Sequence, residues 1–559
     1  MRGQISKYLV SKHYGFIQID QKRDTIFFHS KDVVGARKGM RPGTRVEFDI
    51  GTDTNGREKA LNVKVLEIFS GEEPYSGETL ALEDSKINTT LSEMQDWKLE
   101  AKMENLERYF FRIPELNFIL EGKCAYIIGR KGTGKTALAR YMTKQESDFL
   151  KVQILSFKNF PFNKLYEHEN DDFTRPNQYI TLWKFIIYSF VCRLLAKDKK
   201  TDVMITKEIN KAFPPVNSDA LGSIIGKSIL GDFSISAAGN GFSFANWGKK
   251  KAEPTLAEKV DNLEAFLLRN LLPNKQYLVL FDELDEDYKD VQATYKKSKY
   301  IDLLTSLFKA VQDIFGVFKE HRIDLLPVVL LRDDIYDQIQ DPDKNKWSDF
   351  SKEINWEESE IKNLLLHRLN RAINCEEAEF DKVWYSLFSP HPIPVGASGK
   401  EIKSYEFIKR ATQGRPRDFI QYLRECAKLQ LDQGGGLIEP DTVKGADRSY
   451  SNYLRRELID EIHGVLPDIV EIFSLLSSMR KTVFRADDFF KVHKERLKRK
   501  QIHTENPELI LRVLFYFSAI GNSPRPNIQI FKHTHQNANL SLNEPIIIHR
   551  GLIKALQNF

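Results

Sequence analysis

Cysteine is scarce in this chain. Four residues in 559, Cys124, Cys192, Cys375 and Cys426, stand far apart with no C-x-x-C pair among them. That spacing argues against a zinc cluster and against a disulfide framework, and it fits a reducing compartment. The opening stretch, Met1-Arg2-Gly3-Gln4-Ile5-Ser6-Lys7, lacks an apolar signal region. A long charge-free apolar run is missing too. The most apolar stretch, Tyr179 to Ala196, contains Lys184 and Arg193 and reads as a buried core helix rather than a membrane span. The expectation is a cytoplasmic protein without membrane contact. Charge of one sign is also in short supply, with a net value of only +5. Residues 1–67 hold 13 Lys and Arg against 8 Asp and Glu, so the N-terminal segment carries the whole excess.

What is present is the composition of a folded protein. Apolar residues make up 41% and charged residues 29%, which excludes a disordered chain. A length of 559 residues exceeds what one hydrophobic core supports and points to roughly three to four domains.

The chain is organised around Gly129-Arg130-Lys131-Gly132-Thr133-Gly134-Lys135-Thr136, which reads G-x-x-x-x-G-K-T. A short apolar strand, Cys124 to Ile128, precedes it, and a helix start at Ala137 follows. In that context successive backbone N–H groups and a helix N-terminus converge on phosphate. Glycines at 129, 132 and 134 allow backbone geometry that a Cβ would forbid. Lys135 is expected on the β- and γ-phosphates, and Thr136 on Mg²⁺. A second pattern, Tyr277-Leu278-Val279-Leu280-Phe281-Asp282-Glu283, reads as a buried strand ending in two carboxylates. Asp282 is expected to hold the metal, and Glu283 to polarise the water that attacks the γ-phosphate. Leu284-Asp285-Glu286-Asp287 reads more readily as a solvated acidic loop. A third buried strand, Leu326 to Leu331, ends in Arg332-Asp333-Asp334 at the same edge; Arg332 is the candidate sensor, with Asp333 behind it, the bland alternative being a charged strand end in water.

Residues 1–67 contain five short alternating stretches split by Gly, Asp and Pro turns, the pattern of a small Greek-key barrel of OB type. Tyr14 and Phe16 share one face of a strand, Phe27 and His29 one face of the next, and basic residues surround them, as in a stacking platform for unpaired bases. This segment resembles the cold-shock domain family, and Lys12, Tyr14, Phe16, Phe27 and His29 fall on that family's RNA-binding signatures. The family's first-strand tryptophan is Lys7 here, a signature glycine is His13, and an aromatic after the second signature is Ser30. The alternative use of such a barrel is protein docking.

The P-loop, the Asp-Glu strand and the third strand together resemble P-loop ATPases of the additional-strand type, in particular the AAA+ and STAND groups. That resemblance implies a helical lid, found in the pattern from Ile354 to Leu369, and a second sensor. Gly414-Arg415-Pro416-Arg417 opening a helix is similar to that sensor, with Arg417 facing phosphates and Arg415 as second choice. It also implies an oligomer whose sites are completed by a neighbour's arginine. Helices after residue 455, followed by a late β-rich segment, Ile528–Lys532 and Glu544–His549, read as a hairpin, suggest a winged helix. Its basic run Lys491 to Lys500 is either a solvated face or a phosphate contact.

The expected architecture is therefore a multidomain chain. A β-barrel of OB or cold-shock type spans 1–68, and a linker 69–95. An α/β P-loop NTPase core spans 96–340 with an insertion at 197–256. A helical lid spans 341–453, and a mostly helical, winged-helix-like domain 454–559. The expected cofactors are ATP and Mg²⁺, on Gly129 through Ala137 and Asp282. Expected partners are single-stranded nucleic acid at the barrel, and duplex DNA or protein at the C-terminal domain. The reading is a nucleic-acid-responsive ATPase, similar in domain order to bacterial ATPases of mobile and defence loci. The competing reading is a slow nucleotide-locked switch that docks a partner effector. A processive helicase ranks lower, because no helicase motif set follows.

Overall fold

The computed structural model describes residues 1–9, 14–20, 25–34, 44–52, 58–67, 75–158, 162–166, 174, 177–213, 255–285, 294–395, 400–525 and 528–557. Lys12, Glu286, Asp287 and residues 214–254 of the expected insertion lie outside the described residues.

Alternation builds the N-terminal barrel. Strands β1 (Arg2–Leu9), β2 (Tyr14–Ile19), β3 (Thr25–His29), β4 (Arg45–Thr52) and β5 (Glu58–Glu67) close in the order β1-β2-β3-β5-β4. Ile5, Ile17, Ile26, Phe28, Val46, Phe48, Ala60 and Val63 fill the interior. The antiparallel register sets Tyr14 opposite His29 and Phe16 opposite Phe27, so these four residues share the other face.

The central sheet uses continuous apolar runs instead, because both of its faces are covered. Strands β6 (Tyr126–Ile128), β7 (Leu150–Ser156), β8 (Gln276–Asp282), β9 (Asp324–Leu331) and β10 (Ser351–Glu353) pair in parallel in the order β10-β6-β9-β8-β7. Strand β9 lies between the P-loop strand and the acidic strand, as an additional strand should. Ile128 pairs with Leu331 and Ser156 with Asp282, so the loops after four strands emerge at one edge. Strand β10 belongs to this sheet although it lies beyond the expected core boundary at 340. Its polar Ser-Lys-Glu sequence carries no strand signal, and as an edge strand it needs none.

The stretch Asn177–Lys197 is long and apolar enough to cross a membrane, but it is a core helix: 78% of its apolar window is buried within the fold. The helix Val203–Ala212 falls inside the expected insertion yet is part of this core, with Ile209 and Phe213 fully buried.

The expected linker 69–95 is corrected in the same way. It contains a helix, Asp84–Asp96, that buries Ile87, Leu91 and Met94 against the lid helix Pro416–Asp432. Those three positions recur at helical spacing, but Ser, Asn and Thr between them weaken the pattern. Just before it, Tyr75 stacks on Tyr385 of the lid (4.2 Å, 13°) and its N–H donates to the Pro390 carbonyl.

The lid comprises helices Glu358–Ile373, Phe380–Trp384, Ser404–Ala411, Pro416–Asp432 and Pro440–Ile462, with an antiparallel pair of strands, β11 (Ile393–Val395) and β12 (Lys400–Ile402). The last of these helices runs through the expected boundary at 453/454, and the lid shares one hydrophobic core with the C-terminal elements. There the helices Ile469–Met479, Ala486–Lys498 and Pro507–Tyr516 accompany a sheet ordered β13 (Val483–Phe484), β16 (Ile546–Ile548), β14 (Ile520–Arg525), β15 (Ile528–Ile530). The two strands expected from sequence do not pair with each other. Both pair with β14, which Gly521, Asn522 and Pro524 concealed.

Leu91→Ala should therefore lower the denaturant midpoint as a core cavity does, by about 2–5 kcal/mol. A truncation with no measurable change would return the Asp84–Asp96 helix to the status of linker.

Candidate functional site

The P-loop follows β6, and its helix Lys135–Lys144 begins at Gly134, whose φ of +103° requires glycine. Gly132 (φ +84°) is fixed by a neighbour as well: a Cβ there would lie 3.3 Å from the Arg417 Cβ. The lid thus rests directly on the loop. Trp356, in the turn before the first lid helix, donates to the Thr133 carbonyl at 2.9 Å.

Lys135, Thr136, Asp282, Glu283, Arg332 and Arg417 line one cavity of about 460 Å³. That volume suits a ligand of nucleotide size. Lys131 through Ala137 form its floor, and Tyr109, Phe110 and Phe111 stand on its wall. Phe110 is itself stacked on Tyr141 at 4.0 Å. The Lys135 ammonium donates to the Gly129 and Arg130 carbonyls, at 2.5 and 3.0 Å. Burial pushes it below the ordinary lysine value, against the pull of Asp333 and Asp285.

Thr136 Oγ1 donates to Asp282 Oδ1 at 3.2 Å. Burial, with Glu283 alongside, pushes the Asp282 carboxyl up to about 6. A buried carboxylate with so little compensation is a fit partner for a divalent cation, and Thr136 and Asp282 are the residues that would hold one. Glu283 has φ +59°, a left-handed conformation that costs a non-glycine residue about 1 kcal/mol or more. Its Oε2 accepts from Lys102 Nζ at 3.0 Å and from the hydroxyl of Ser156 at the end of β7.

The arginines divide into two sets. Arg332 grips Asp334 through two hydrogen bonds (2.9 and 2.7 Å) and reaches Asp285 at 3.3 Å. Asp285 is thus an ion-pair partner, which corrects the solvated-loop expectation for that residue. Arg417 lies at the cavity with Glu457 at 3.3 Å, a carboxylate it shares with Lys131 at 3.2 Å. Arg415 lies away from this cavity. It is buried between Asp418 and Glu461, 2.6 Å from the latter, and donates to the Lys131 carbonyl. Arg130 also turns away, to the backbone and side chain of Gln413. Lys102, Ser156, Trp356, Gln413, Glu457 and Glu461 carried no signal in the sequence, because each acts through a partner at least 40 positions distant.

At the barrel, Tyr14, Phe16 and Phe27 form a cluster with ring centroids 5.4–6.1 Å apart. His29 Nδ1 accepts from the Lys31 N–H, which fixes the ring beside them. Ser30 is buried and supplies no stacking face. None of these barrel residues lines the 460 Å³ cavity.

Residues 1–66 match the family model of the 'cold-shock' DNA-binding domain, and the closed five-stranded barrel is a cold-shock domain. Residues 359–459 match the FunZ-associated C-terminal helical domain. The chain is 22% identical, over 367 residues, to the transposon gamma-delta 80.3 kDa protein of Escherichia coli (strain K12), covering 63% of this chain. It spans about half (49%) of that relative's length. Among solved structures, ORC2 of Aeropyrum pernix in its ADPNP–ADP complexes aligns with TM-score 0.37 at 13% identity, over 79% of this chain and 90% of that one. Cdc6p of Pyrobaculum aerophilum gives 0.29 at 12%, over 85% and 97%. The Walker-type ATPase PABY2304 of Pyrococcus abyssi gives 0.35 at 12%, over 80% and 96%.

Because Asp282 must be ionised to hold a cation, affinity for a magnesium–nucleoside triphosphate should fall about tenfold between pH 7 and pH 5 through this one group. Asp282→Asn should bind more weakly at every pH and lose that part of the slope. Parallel pH profiles for the two proteins would show that Asp282 does not titrate in this range.

Proposed function

We propose that this protein is a nucleic-acid-responsive ATPase in which ATP binding and hydrolysis drive a conformational or oligomeric change. The observation that carries the reading is the meeting of three parts at one cavity. Lys135 and Thr136 of the loop, Asp282 at the end of β8 with Glu283 just after it, and Arg417 of the lid all line it. Binding a triphosphate there would draw Lys135 from its two carbonyls onto phosphate oxygens. Mg²⁺, held by Thr136 and Asp282, would neutralise charge on the phosphates. Glu283 would orient the attacking water, and Arg417 and Arg332 would register the γ-phosphate. The lid would follow, since Arg417 and Trp356 touch the loop itself.

The aromatic face of the barrel supports single-stranded nucleic acid as the input. On the helix Ala486–Lys498, Lys491, Lys494 and Lys498 are exposed and Arg499 and Lys500 follow, while His493 is buried. That face, in a domain that also holds the β14–β15 hairpin, supports a winged helix in contact with duplex phosphate. The oligomer is expected to complete its sites with an arginine from a neighbour. The likeness to a transposon-encoded protein supports a mobile-element or defence setting. One observation favours the slower, switch-like alternative: Glu283 is already engaged by Lys102 and Ser156. In that case the barrel and the C-terminal domain would dock a partner effector.

The test is ATP turnover by the pure protein, alone and with single-stranded RNA, single-stranded DNA or duplex DNA. Glu283→Gln should bind nucleotide but not turn it over, and Lys135→Ala should not bind it. Stimulation by one single-stranded class should disappear in the double variant Tyr14→Ala, Phe16→Ala, each lost ring costing about 1–3 kcal/mol of strand affinity. Turnover indifferent to every nucleic acid would favour the docking switch, and an absence of turnover in all conditions would remove the ATPase reading.

A further inference from the structure

Residues 97–105, between the helix Asp84–Asp96 and the short helix Leu106–Tyr109, form a strap that lines the cavity from Lys98 to Lys102 and at Glu104. This strap is fixed to the lid at several points. The Arg368 guanidinium of the first lid helix lies 4.6 Å from the ring centroids of both Trp97 and Tyr109. It also pairs with Glu104 at 2.6 Å, both side chains being nearly inaccessible (5% and 9%). Arg108 adds a bond to the Arg371 carbonyl at 2.6 Å. Of its two lysines that line the cavity, Lys98 and Lys102, the second reaches Glu283, its ammonium lying 3.0 Å from the carboxylate.

Glu283 does not need Lys102 for its placement, since the Ser156 hydroxyl also holds the same oxygen. Lys102 is therefore a charge borne by the lid and delivered to the spot where the water and the γ-phosphate would meet. A γ-phosphate offers more negative charge and more acceptor oxygens than a single carboxylate, so it outcompetes Glu283 for the ammonium. A diphosphate, ending one group short, leaves the Lys102–Glu283 pair intact.

On the strength of the ATPase reading above, we propose that Lys102 is a γ-phosphate ligand supplied in cis by this strap. Its transfer from Glu283 to the phosphate frees the carboxylate for the water and draws the lid-borne strap inward. Loading with triphosphate, release of the hydrolytic carboxylate and closure of the strap are then one event.

The experiment measures binding of fluorescent ADP and of a β,γ-imido triphosphate analogue, each with Mg²⁺, to the full-length protein and to Lys102→Ala and Lys102→Arg. Lys102→Ala should weaken the triphosphate analogue about tenfold or more and ADP by less than about twofold. It should leave the melting temperature unchanged and lower ATP turnover. Lys102→Arg should restore most of the triphosphate affinity. Equal losses for both nucleotides, or no loss for either, would overturn the inference while leaving the ATPase reading in place. So would faster turnover in Lys102→Ala at unchanged affinity, because Lys102 would then be only a restraint on Glu283. If the unaltered protein bound neither nucleotide, the ATPase reading would fall and this inference with it.

Discussion

A buried carboxylate, that of Glu461, ties the P-loop to the lid. Burial alone would raise its pKa. Arg415 at 2.6 Å, with Lys131, Arg332 and Arg130 around it, holds it down to about 2 instead. These cations come from the loop, the end of β9 and the start of a lid helix, while Glu461 sits near the end of the helix Pro440–Ile462. A cluster of this kind contributes little net stability but is costly to break, since any lost partner leaves a charge buried without compensation. It therefore acts as a joint, in which charges of the loop and of the lid share one buried carboxylate.

The joint has a second branch. Arg130, one of the unspecified positions of the loop pattern, grips Gln413, whose amide donates in turn to the Phe517 and Ser518 carbonyls (both 3.1 Å). Tyr516, one residue before that pair, donates to Asp337 of the core at 2.6 Å. The loop thus has two polar routes outward, through Glu461 to the lid and through Gln413 to the C-terminal elements. Lid and C-terminal sheet share one apolar core, so they answer as a unit and have little freedom to move apart.

Much of this was legible in the sequence, for a physical reason. The barrel, the P-loop, the acidic strand and the strand between them are defined by local periodicity and by glycines that only one backbone geometry explains. The joint was not legible. Glu461, Gln413 and Lys102 are ordinary polar residues whose meaning lies in partners brought near by folding; Lys102 and Glu283, for instance, are 181 positions apart. Strands β10 and β14 escaped notice because edge and hairpin strands tolerate Ser, Asn, Gly and Pro. The helix Asp84–Asp96 was concealed by the opposite fault, a sound apolar stripe set among poor helix formers. The Arg415–Arg417 pair shows the limit most plainly. Residue type alone does not separate the two arginines, the family resemblance put Arg417 first and Arg415 second, and packing sends Arg417 to the cavity and Arg415 into the joint.

The stacking of Tyr75 on Tyr385 has a consequence for the cold-shock domain. The barrel ends at Glu67 and the chain is pinned to the lid at Tyr75, eight residues on. Eight residues span at most about 28 Å when fully extended. The barrel is thereby on a short leash, held near the lid at an effective concentration in the millimolar range. Anything bound on its aromatic face would be presented to the lid surface at that concentration, so a second contact there could be individually feeble and still decide the outcome. Lengthening the leash would dilute that contact without altering a residue in either surface.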